Sequence, residues 1–156
     1  MKKILITLDY EPSATKVAEE GYAIAKALQA KVILMHVVAD ASYYSASEYT
    51  PIMGFTGFNN VDINNLIDGL KDEAQRFLNE SKAHLGDGDI ETGVVEGDFA
   101  PSILDFAREK EVDMIVMGTY GRRGINKLLM GNLAEKVLHD SPIPVLVIPT
   151  KDVEHK

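Results

Sequence analysis

The 156-residue sequence contains no cysteine and no tryptophan. Without thiols the chain forms no disulfides and no thiolate metal sites, and it has no cysteine nucleophile. Long apolar runs are also lacking: nowhere do about 18 apolar residues follow one another, so no membrane-spanning helix is predicted. The N-terminal apolar run meets Asp9 after five residues, without a small-residue cleavage site. This predicts a buried strand rather than a signal peptide, and we expect a cytoplasmic protein.

Basic residues are fewer than acidic ones: 16 Lys and Arg against 24 Asp and Glu give a net charge of −8. An acidic balance favours solubility. Binding to a nucleic-acid backbone needs a concentrated basic face, and only Arg122, Arg123 and Lys127 approach one. We therefore expect neither a nucleic-acid nor a membrane partner. These three charges nonetheless gather in one glycine-rich stretch of an acidic chain.

Five short apolar runs predict β-strands, four of them nearly continuous in Val, Ile, Leu and Met, as parallel strands buried on both faces are. The runs are Ile4–Leu8, Val32–Val38, Ile90–Val95, Met114–Met117 and Val145–Ile148. Helical spacing of apolar residues recurs between them. Alternating strands and helices predict an α/β fold with an open, doubly wound parallel sheet and helices on both faces.

Four helices are predicted from apolar residues three and four positions apart. The third has Pro101 at a position that the first helical turn tolerates, leading into Ile103, Leu104 and Ala107. The other three carry Ala14, Val17, Ala18, Gly21, Ala25 and Leu28; then Ile63, Leu66, Ile67, Leu70, Ala74, Phe77 and Leu78; and finally Leu133, Ala134, Val137 and Leu138.

The length suits one domain over residues 1–150, followed by a polar tail at 151–156. We find no internal repeat. Residues 39–60 form a long variable loop that is rich in Tyr, Phe, Ser, Gly and Asn. Connections of this length are uncommon unless they act as lids or are disordered. The loop is interpreted either as a lid or dimer contact or as a mobile surface segment.

A glycine-rich stretch, GTYGRRGINKLLMGN at 118–132, follows the fourth predicted strand. Glycines after a strand allow positive φ and a close approach of the backbone to a ligand. We expect a helix to open near Gly131 and Asn132, where free N–H groups and the helix dipole favour a phosphate. The spacing is neither a Walker P-loop nor the dinucleotide fingerprint. From chemistry alone, phosphate binding and a tight turn with exposed basic residues remain equal alternatives.

The spacing Gly118-x2-Gly121-x9-Gly131 resembles the G-x2-G-x9-G-Ser/Thr signature of the ATP-binding universal stress proteins. Further segments resemble the family in the same order: KILITLD at 3–9, KVILMHVV at 31–38, VDMIVMGTYGRRG at 112–124 and SPIPVLVIP at 141–149. The resemblance covers essentially the whole chain. It implies a Rossmann-like fold related to the adenine nucleotide α-hydrolases, with strand order 3-2-1-4-5 and a switch point between the first and fourth strands.

By this resemblance, ATP, with or without Mg²⁺, binds where the first, second and fourth strands end. The Asp9 carboxylate accepts from a ribose hydroxyl, the backbone of Val37 meets the adenine edge, and the glycine-rich stretch holds the phosphates. The implied site residues are Thr7, Leu8, Asp9, Val37, Met117, Gly118, Gly121, Arg122, Arg123, Gly131, Asn132 and Leu133. Without the family, Asp9 reads as a helix cap or turn former, and Val37 and Met117 read as core.

Two positions depart from the family pattern. Asn132 stands where the family has Ser or Thr; its amide can cap a helix and donate to a phosphate, but it lacks a hydroxyl. Glu11, followed by Pro12, stands where a Ser is common two residues after the aspartate. We expect altered capping of the first helix and an extra carboxylate near the crevice.

No catalytic constellation is visible. The four histidines are scattered without metal-ligand spacing, and His36 in a predicted buried strand is interpreted as a core histidine with a satisfied hydrogen bond. The sequence GDGD at 86–89 lacks the remaining ligands of a calcium loop and predicts a turn. We expect a regulatory, stress-response nucleotide-binding protein with little or no hydrolysis. The alternatives are a slow nucleotide hydrolase and a dimeric interaction module that binds no nucleotide.

The last predicted strand, 145–148, is apolar and lies between prolines, which are confined to edge strands. An exposed apolar edge favours pairing with a second copy. Both this pattern and the family resemblance predict a homodimer through strand 145–148.

Overall fold

The computed structural model describes residues 1–9, 13–40, 60–119 and 127–150, with the backbone alone at 60–62 and 127–132. Of the predicted loop at 39–60, residues 41–59 lie outside the described residues, as do Glu11, Pro12 and the tail at 151–156. The strands are β1 (Lys3–Thr7), β2 (Lys31–Val38), β3 (Glu91–Glu96), β4 (Met114–Gly118) and β5 (Val145–Ile148). The helices are α1 (Ser13–Ala27), α2 (Asn60–Leu85), α3 (Phe99–Glu109) and α4 (Lys127–Asp140).

All five strands are parallel and lie in the order β3-β2-β1-β4-β5. β1 pairs with β2 through Thr7 and Met35, and with β4 through Ile6 and Val116. The chain therefore builds one half of the sheet from β1 outward to β3, then crosses back to add β4 on the other side of β1. The predicted fold class and strand order are confirmed.

Two apolar layers cover the two faces of the sheet, because alternate residues of a buried strand point to opposite sides. On one face, Ile4 and Ile6 of β1 pack with Val17 of α1 and Leu78 of α2. On the other face, β1 contributes Leu5, which packs in the layer that α3 and α4 complete. Near-continuous apolar strands are needed because both faces are buried.

Helical spacing identified most of the buried helix positions but not all of them. Leu28 was predicted on the buried face of the first helix, but α1 ends at Ala27 and Leu28 is 44% exposed. Leu66 is 42% exposed, although its neighbour Ile67 is buried. Leu138 is likewise 49% exposed. The buried stripe of each helix is thus narrower than its apolar pattern, since only residues that point at the sheet lose their solvent contact.

Several observed strand ends differ by one residue from the predicted ones. Ile90 is buried but precedes β3, which begins at Glu91 and ends at Glu96. Hydrophobicity reports burial, whereas a strand is defined by backbone pairing, so the two boundaries need not coincide. No helix in the described part of the chain is both long enough and apolar enough to cross a membrane.

Candidate functional site: a crevice at the switch point of the sheet

A crevice opens at the carboxyl ends of the strands, where β1 lies between β2 and β4. Counting its open mouth, it encloses about 570 Å³. Its lining is mostly apolar, with polar side chains at Thr7, Asp9, Ser13 and His36. In open α/β sheets, ligands bind outside the carboxyl ends of the strands at such a switch point.

The structure brings seven of the predicted site residues together in this crevice. They are Thr7 at the end of β1, Leu8 and Asp9 directly after it, Val37 of β2, Met117 and Gly118 of β4, and Leu133 of α4. These residues are far apart in sequence and meet because three parallel strands end at one edge. Gly121, Arg122 and Arg123 lie outside the described residues. Gly131 and Asn132 lie in α4, directly before Leu133.

The start of the last helix differs from the prediction. We expected it near Gly131 and Asn132, but α4 begins at Lys127 and includes both residues. The physical reason is that the stretch KLLM at 127–130 consists of strong helix formers, which carry the helix past the position where glycine suggested a cap. The N–H groups without an intrahelical acceptor therefore belong to residues 127–130.

Gly118 lies in the crevice wall, but without the positive φ that the sequence suggested for glycines after this strand. Among the described glycines only Gly86 and Gly97 have positive φ. A Cβ on Gly118 would lie 3.0 Å from Val17 Cγ2 and 3.0 Å from Thr150 Cγ2. Glycine suits this position because Val17 of α1 and Thr150, just after β5, pack closely against its backbone.

The backbone just beyond Gly118 is fixed by the neighbouring edge strand. The amide nitrogen and the hydroxyl of Thr119 both donate to the carbonyl oxygen of Ile148, over 3.0 and 2.9 Å. The Nζ of Lys16 in α1 donates to the carbonyl oxygen of Pro149 over 2.6 Å. These bonds hold β4, β5 and α1 together at the crevice, so the exit of β4 has a defined direction.

Sequence reasoning missed seven lining residues. They are Ser13, Ala14 and Val17 of α1, Met35 and His36 of β2, and Phe99 and Ile103 of α3. A signal was present for α3: Asp98 precedes Phe99, and its Oδ1 accepts from the Phe99 amide over 3.0 Å as an N-cap. A helix that starts directly after β3 must begin at the same edge of the sheet as the crevice. No comparable pattern marks Met35, which only the fold brings to the opening.

His36 is buried, at 5% exposure, and its Nδ1 lies 2.7 Å from the carbonyl oxygen of Leu8. Its ring also contacts the ring of Phe77 edge-on, with the centroids 6.3 Å apart. The interpretation of His36 as a core histidine with a satisfied hydrogen bond is confirmed. The same side chain lines the crevice, which the sequence did not indicate.

Among the residues with described side chains, no group of three or more His, Asp or Glu is placed to hold a metal ion. The arrangement offers apolar walls for a flat ring, a carboxylate at Asp9 and a hydroxyl at Thr7. Such a site is suited to binding a small molecule that has one apolar and one polar end.

The sequence profile of the Universal stress protein family matches residues 1–149. This chain belongs to the universal stress protein family. Universal stress protein MJ0531 of Methanocaldococcus jannaschii is 32% identical over 149 residues, which cover 94% of this chain and 81% of that protein. Universal stress protein MJ0577 of the same organism is 30% identical over 157 residues, covering 97% and 96%.

Solved structures of family members share the fold. Universal stress protein UspA from Lactobacillus plantarum has a TM-score of 0.75 at 22% identity, covering 94% of this chain and 97% of that one. A universal stress protein in complex with cAMP has a TM-score of 0.59 at 21% identity, covering 94% and 95%. One from Archaeoglobus fulgidus in complex with dAMP has a TM-score of 0.60 at 18% identity, covering 95% and 98%.

Proposed function

We propose that this universal stress protein binds ATP in the crevice between β1 and β4, as a stress-response regulator with little or no hydrolysis. The observation that carries the proposal is the meeting of Asp9, Thr7 and Gly118 at the switch point of the sheet. Ligands of open α/β sheets bind at this point, and here it combines an apolar wall with a carboxylate.

The chemistry of the crevice supports an adenine nucleotide. Val37, Met117 and Leu133 offer apolar surface for a purine ring, and the Asp9 carboxylate accepts hydrogen bonds from a sugar hydroxyl. The relatives solved with cAMP and dAMP have this fold, and both ligands contain adenine, a sugar and one phosphate. These shared groups are the minimum that we propose the crevice recognises.

The phosphate end of the proposed site involves Gly121, Arg122, Arg123, Gly131 and Asn132. Two features support this location: Leu133 lines the crevice, and α4 begins at Lys127, so the stretch before the helix leads from β4 to the helix start. The free N–H groups at the start of α4, those of residues 127–130, favour an anion beside Gly131 and Asn132. Arginine adds charge-assisted bonds to phosphate oxygens. Mg²⁺ would be held through the phosphates, since Asn132 offers no hydroxyl.

The test is calorimetric titration of ATP, ADP, AMP and cAMP, with and without Mg²⁺, into nucleotide-stripped protein. Asp9→Asn should weaken all four ligands about tenfold, the loss of one charged hydrogen bond. Gly131→Val should weaken ATP more than AMP, because it lies at the phosphate end. Asp89→Asn, an exposed aspartate outside the crevice, is the matched control and should bind as the parent does.

Three outcomes would change the proposal. No heat at millimolar ATP, together with no shift in Tm, would favour an interaction module that binds no nucleotide. Steady release of ADP or AMP well above the background rate would favour a nucleotide hydrolase. Binding of all four ligands with equal affinity would mean that the glycine-rich stretch does not contact the phosphate chain.

We further propose a homodimer formed through β5. This strand lies at the edge of the sheet and its side chains at 145–147 are only half-buried. The carbonyl oxygen of Pro144 accepts a hydrogen bond from β4, and that of Ile148 accepts one from Thr119, just after β4. Successive residues of a strand direct their backbone groups to opposite sides, so the N–H groups of Val145 and Val147 face away from β4. These groups are available to a second copy.

Light scattering at micromolar concentration tests the dimer. We expect twice the monomer mass of 17.1 kDa. Val147→Pro removes one outward N–H group and should shift the equilibrium to monomer, whereas Val147→Thr keeps that group and should not. A parent protein that is monomeric would contradict the proposal.

A further inference from the structure

Both backbone polar groups of Leu8 are tied to β2, although Leu8 lies beyond the last residue of β1. Its amide nitrogen donates to the carbonyl oxygen of Met35 over 2.8 Å. Its carbonyl oxygen faces His36 Nδ1 at 2.7 Å. Because Asp9 follows Leu8 directly, these two bonds fix the course of the backbone into Asp9 at the crevice.

The bond to His36 differs from an ordinary sheet bond, since a side chain supplies it. A carbonyl oxygen only accepts hydrogen bonds, so Nδ1 must carry the hydrogen. The imidazole is buried and is packed edge-on by Phe77 of α2. Side-chain packing therefore fixes the ring, and the ring in turn fixes Leu8.

Apolar packing alone does not explain a histidine at this position. Leu34, two residues earlier on the same face of β2, is fully buried, and an apolar residue there needs no polar partner. A buried polar ring is costly unless it is hydrogen-bonded. His36 bonds the carbonyl that directly precedes Asp9, and both His36 and Leu8 line the crevice.

We propose that His36 is a positioning residue of the nucleotide site, which holds the Asp9-bearing end of β1 in place through the carbonyl oxygen of Leu8. The effect on ligand affinity rests on the proposed function. The effect on Leu8 does not, because the hydrogen bond exists without any nucleotide. The two parts are tested separately.

The first test uses the protein without nucleotide. Long-range nitrogen–proton spectra of the parent should show His36 with its hydrogen on Nδ1. Hydrogen exchange of the Leu8 amide should become about tenfold faster in His36→Leu, relative to the Ile6 amide. His36→Asn places an amide nitrogen near the position of Nδ1 and should restore most of the protection. A His36 ring with its hydrogen only on Nε2 would overturn the proposal, even if the Leu variant does not fold.

The second test measures AMP and ATP affinity by calorimetry. His36→Leu should weaken both about tenfold, and His36→Asn should stay within about threefold of the parent. Leu34→Val is the matched control: it removes a buried methylene from the same strand and face without touching the crevice, and its affinity should be unchanged.

Three results separate the explanations. If His36→Asn binds as weakly as His36→Leu, the hydrogen bond is not what positions the site and the proposal is wrong. Equal weakening by Leu34→Val would reduce the effect to general loss of stability and would also overturn it. If the parent binds no nucleotide, the proposed function fails, and the exchange of the Leu8 amide still decides whether His36 positions β1.

Discussion

The phenol oxygen of Tyr22 donates a hydrogen bond to Asp87 Oδ2 over 2.9 Å and thereby ties α1 to the turn after α2. The other oxygen of Asp87 accepts from the amide of Asp89, also over 2.9 Å. These contacts confirm that GDGD at 86–89 forms a turn, with Gly86 at a φ of +72°. The Asp87 carboxylate thus links α1 to the turn that follows α2.

This contact predicts a stability that is lost at both extremes of pH. Hydrogen bonds from the amide of Asp89 and, second in size, from the phenol of Tyr22 lower the pKa of Asp87 in the folded protein. Ionised Asp87 therefore stabilises the fold above the pKa of a carboxyl in the unfolded chain, about 3.9. This stabilisation is lost as the pH falls through the lower pKa of the folded protein. The hydrogen bond to Asp87 raises the pKa of Tyr22 in the folded protein. The protonated phenol therefore stabilises the fold below the pKa of a tyrosine in the unfolded chain, about 10. This stabilisation is lost as the pH rises through the raised pKa of the folded protein.

Tyr22→Phe should therefore lower Tm near pH 7 by no more than about 3 °C, since the pair is solvent-accessible. The parent and the variant should converge in strong acid and in strong alkali. Thermal unfolding at a series of pH values measures this, with Asp89→Asn as the control. A difference that stays constant down to pH 2 would contradict the contribution of Asp87.

Gly118→Ala should destabilise the protein by about 1–2 kcal/mol, because the new Cβ meets Val17 and Thr150 at 3.0 Å and these side chains have little room to shift. Gly69→Ala is the opposite case. Gly69 lies in α2 with nothing within 4 Å of an added Cβ, so alanine should stabilise by about 0.5–1 kcal/mol. Urea unfolding compares the two, and equal effects would show that the packing at Gly118 is not tight.

Asp98→Ala should cost about 1 kcal/mol of stability by removing the N-cap of α3, whose Oδ1 accepts from the Phe99 amide. Because Phe99 lines the crevice, we also expect weaker nucleotide binding. Asp98→Asn keeps an acceptor oxygen and should be close to the parent in both measurements. Urea unfolding and calorimetry check the pair; a full loss in the Asn variant would assign the effect to charge rather than to capping.

Asp113 fixes the N-terminal strand by accepting from the amides of Lys2 and Lys3, over 2.7 and 2.9 Å. These two amides lower the pKa of Asp113 in the folded protein. Its carboxylate therefore stabilises the fold above the pKa of a carboxyl in the unfolded chain, about 3.9. This stabilisation disappears as the pH falls through the lower pKa of the folded protein. Asp113→Ala should speed hydrogen exchange of the Lys3 amide several-fold at neutral pH. In acid the parent should lose the same protection. Unchanged exchange in the variant would mean that the sheet alone holds the strand.

The elements of the fold were predictable where burial and backbone pairing coincide. The sequence placed β5 at 145–148, where the structure has it, and β1 within one residue at each end. The prediction failed for Ile90, which is buried but lies outside β3. It also failed for the last helix, which starts at Lys127 rather than near Gly131. Leu66 is apolar but exposed, because its direction on α2 depends on how the helix rests on the sheet.

The candidate site was predictable only where a motif resembled the family. Asp9 and Gly118 were expected at one edge of the sheet, and the structure brings them into one crevice. His36 was not expected there, because nothing in its local sequence indicates which edge it faces, and the Asp98 cap that places Phe99 at this edge was overlooked. The close packing of Gly118 was also not expected, since its near neighbours, Val17 and Thr150, lie far from it in sequence.

The sequence by itself determined the alternation of strands and helices, the absence of thiol chemistry and the family, because these depend on composition, periodicity and motif spacing. The tertiary structure alone decided which side chains share the crevice, that His36 bonds Leu8, and that Gly118 is packed against α1. The physical reason is that these contacts join residues 28 or more positions apart in the chain or on separate elements, and their distances are set by how helices pack on the sheet.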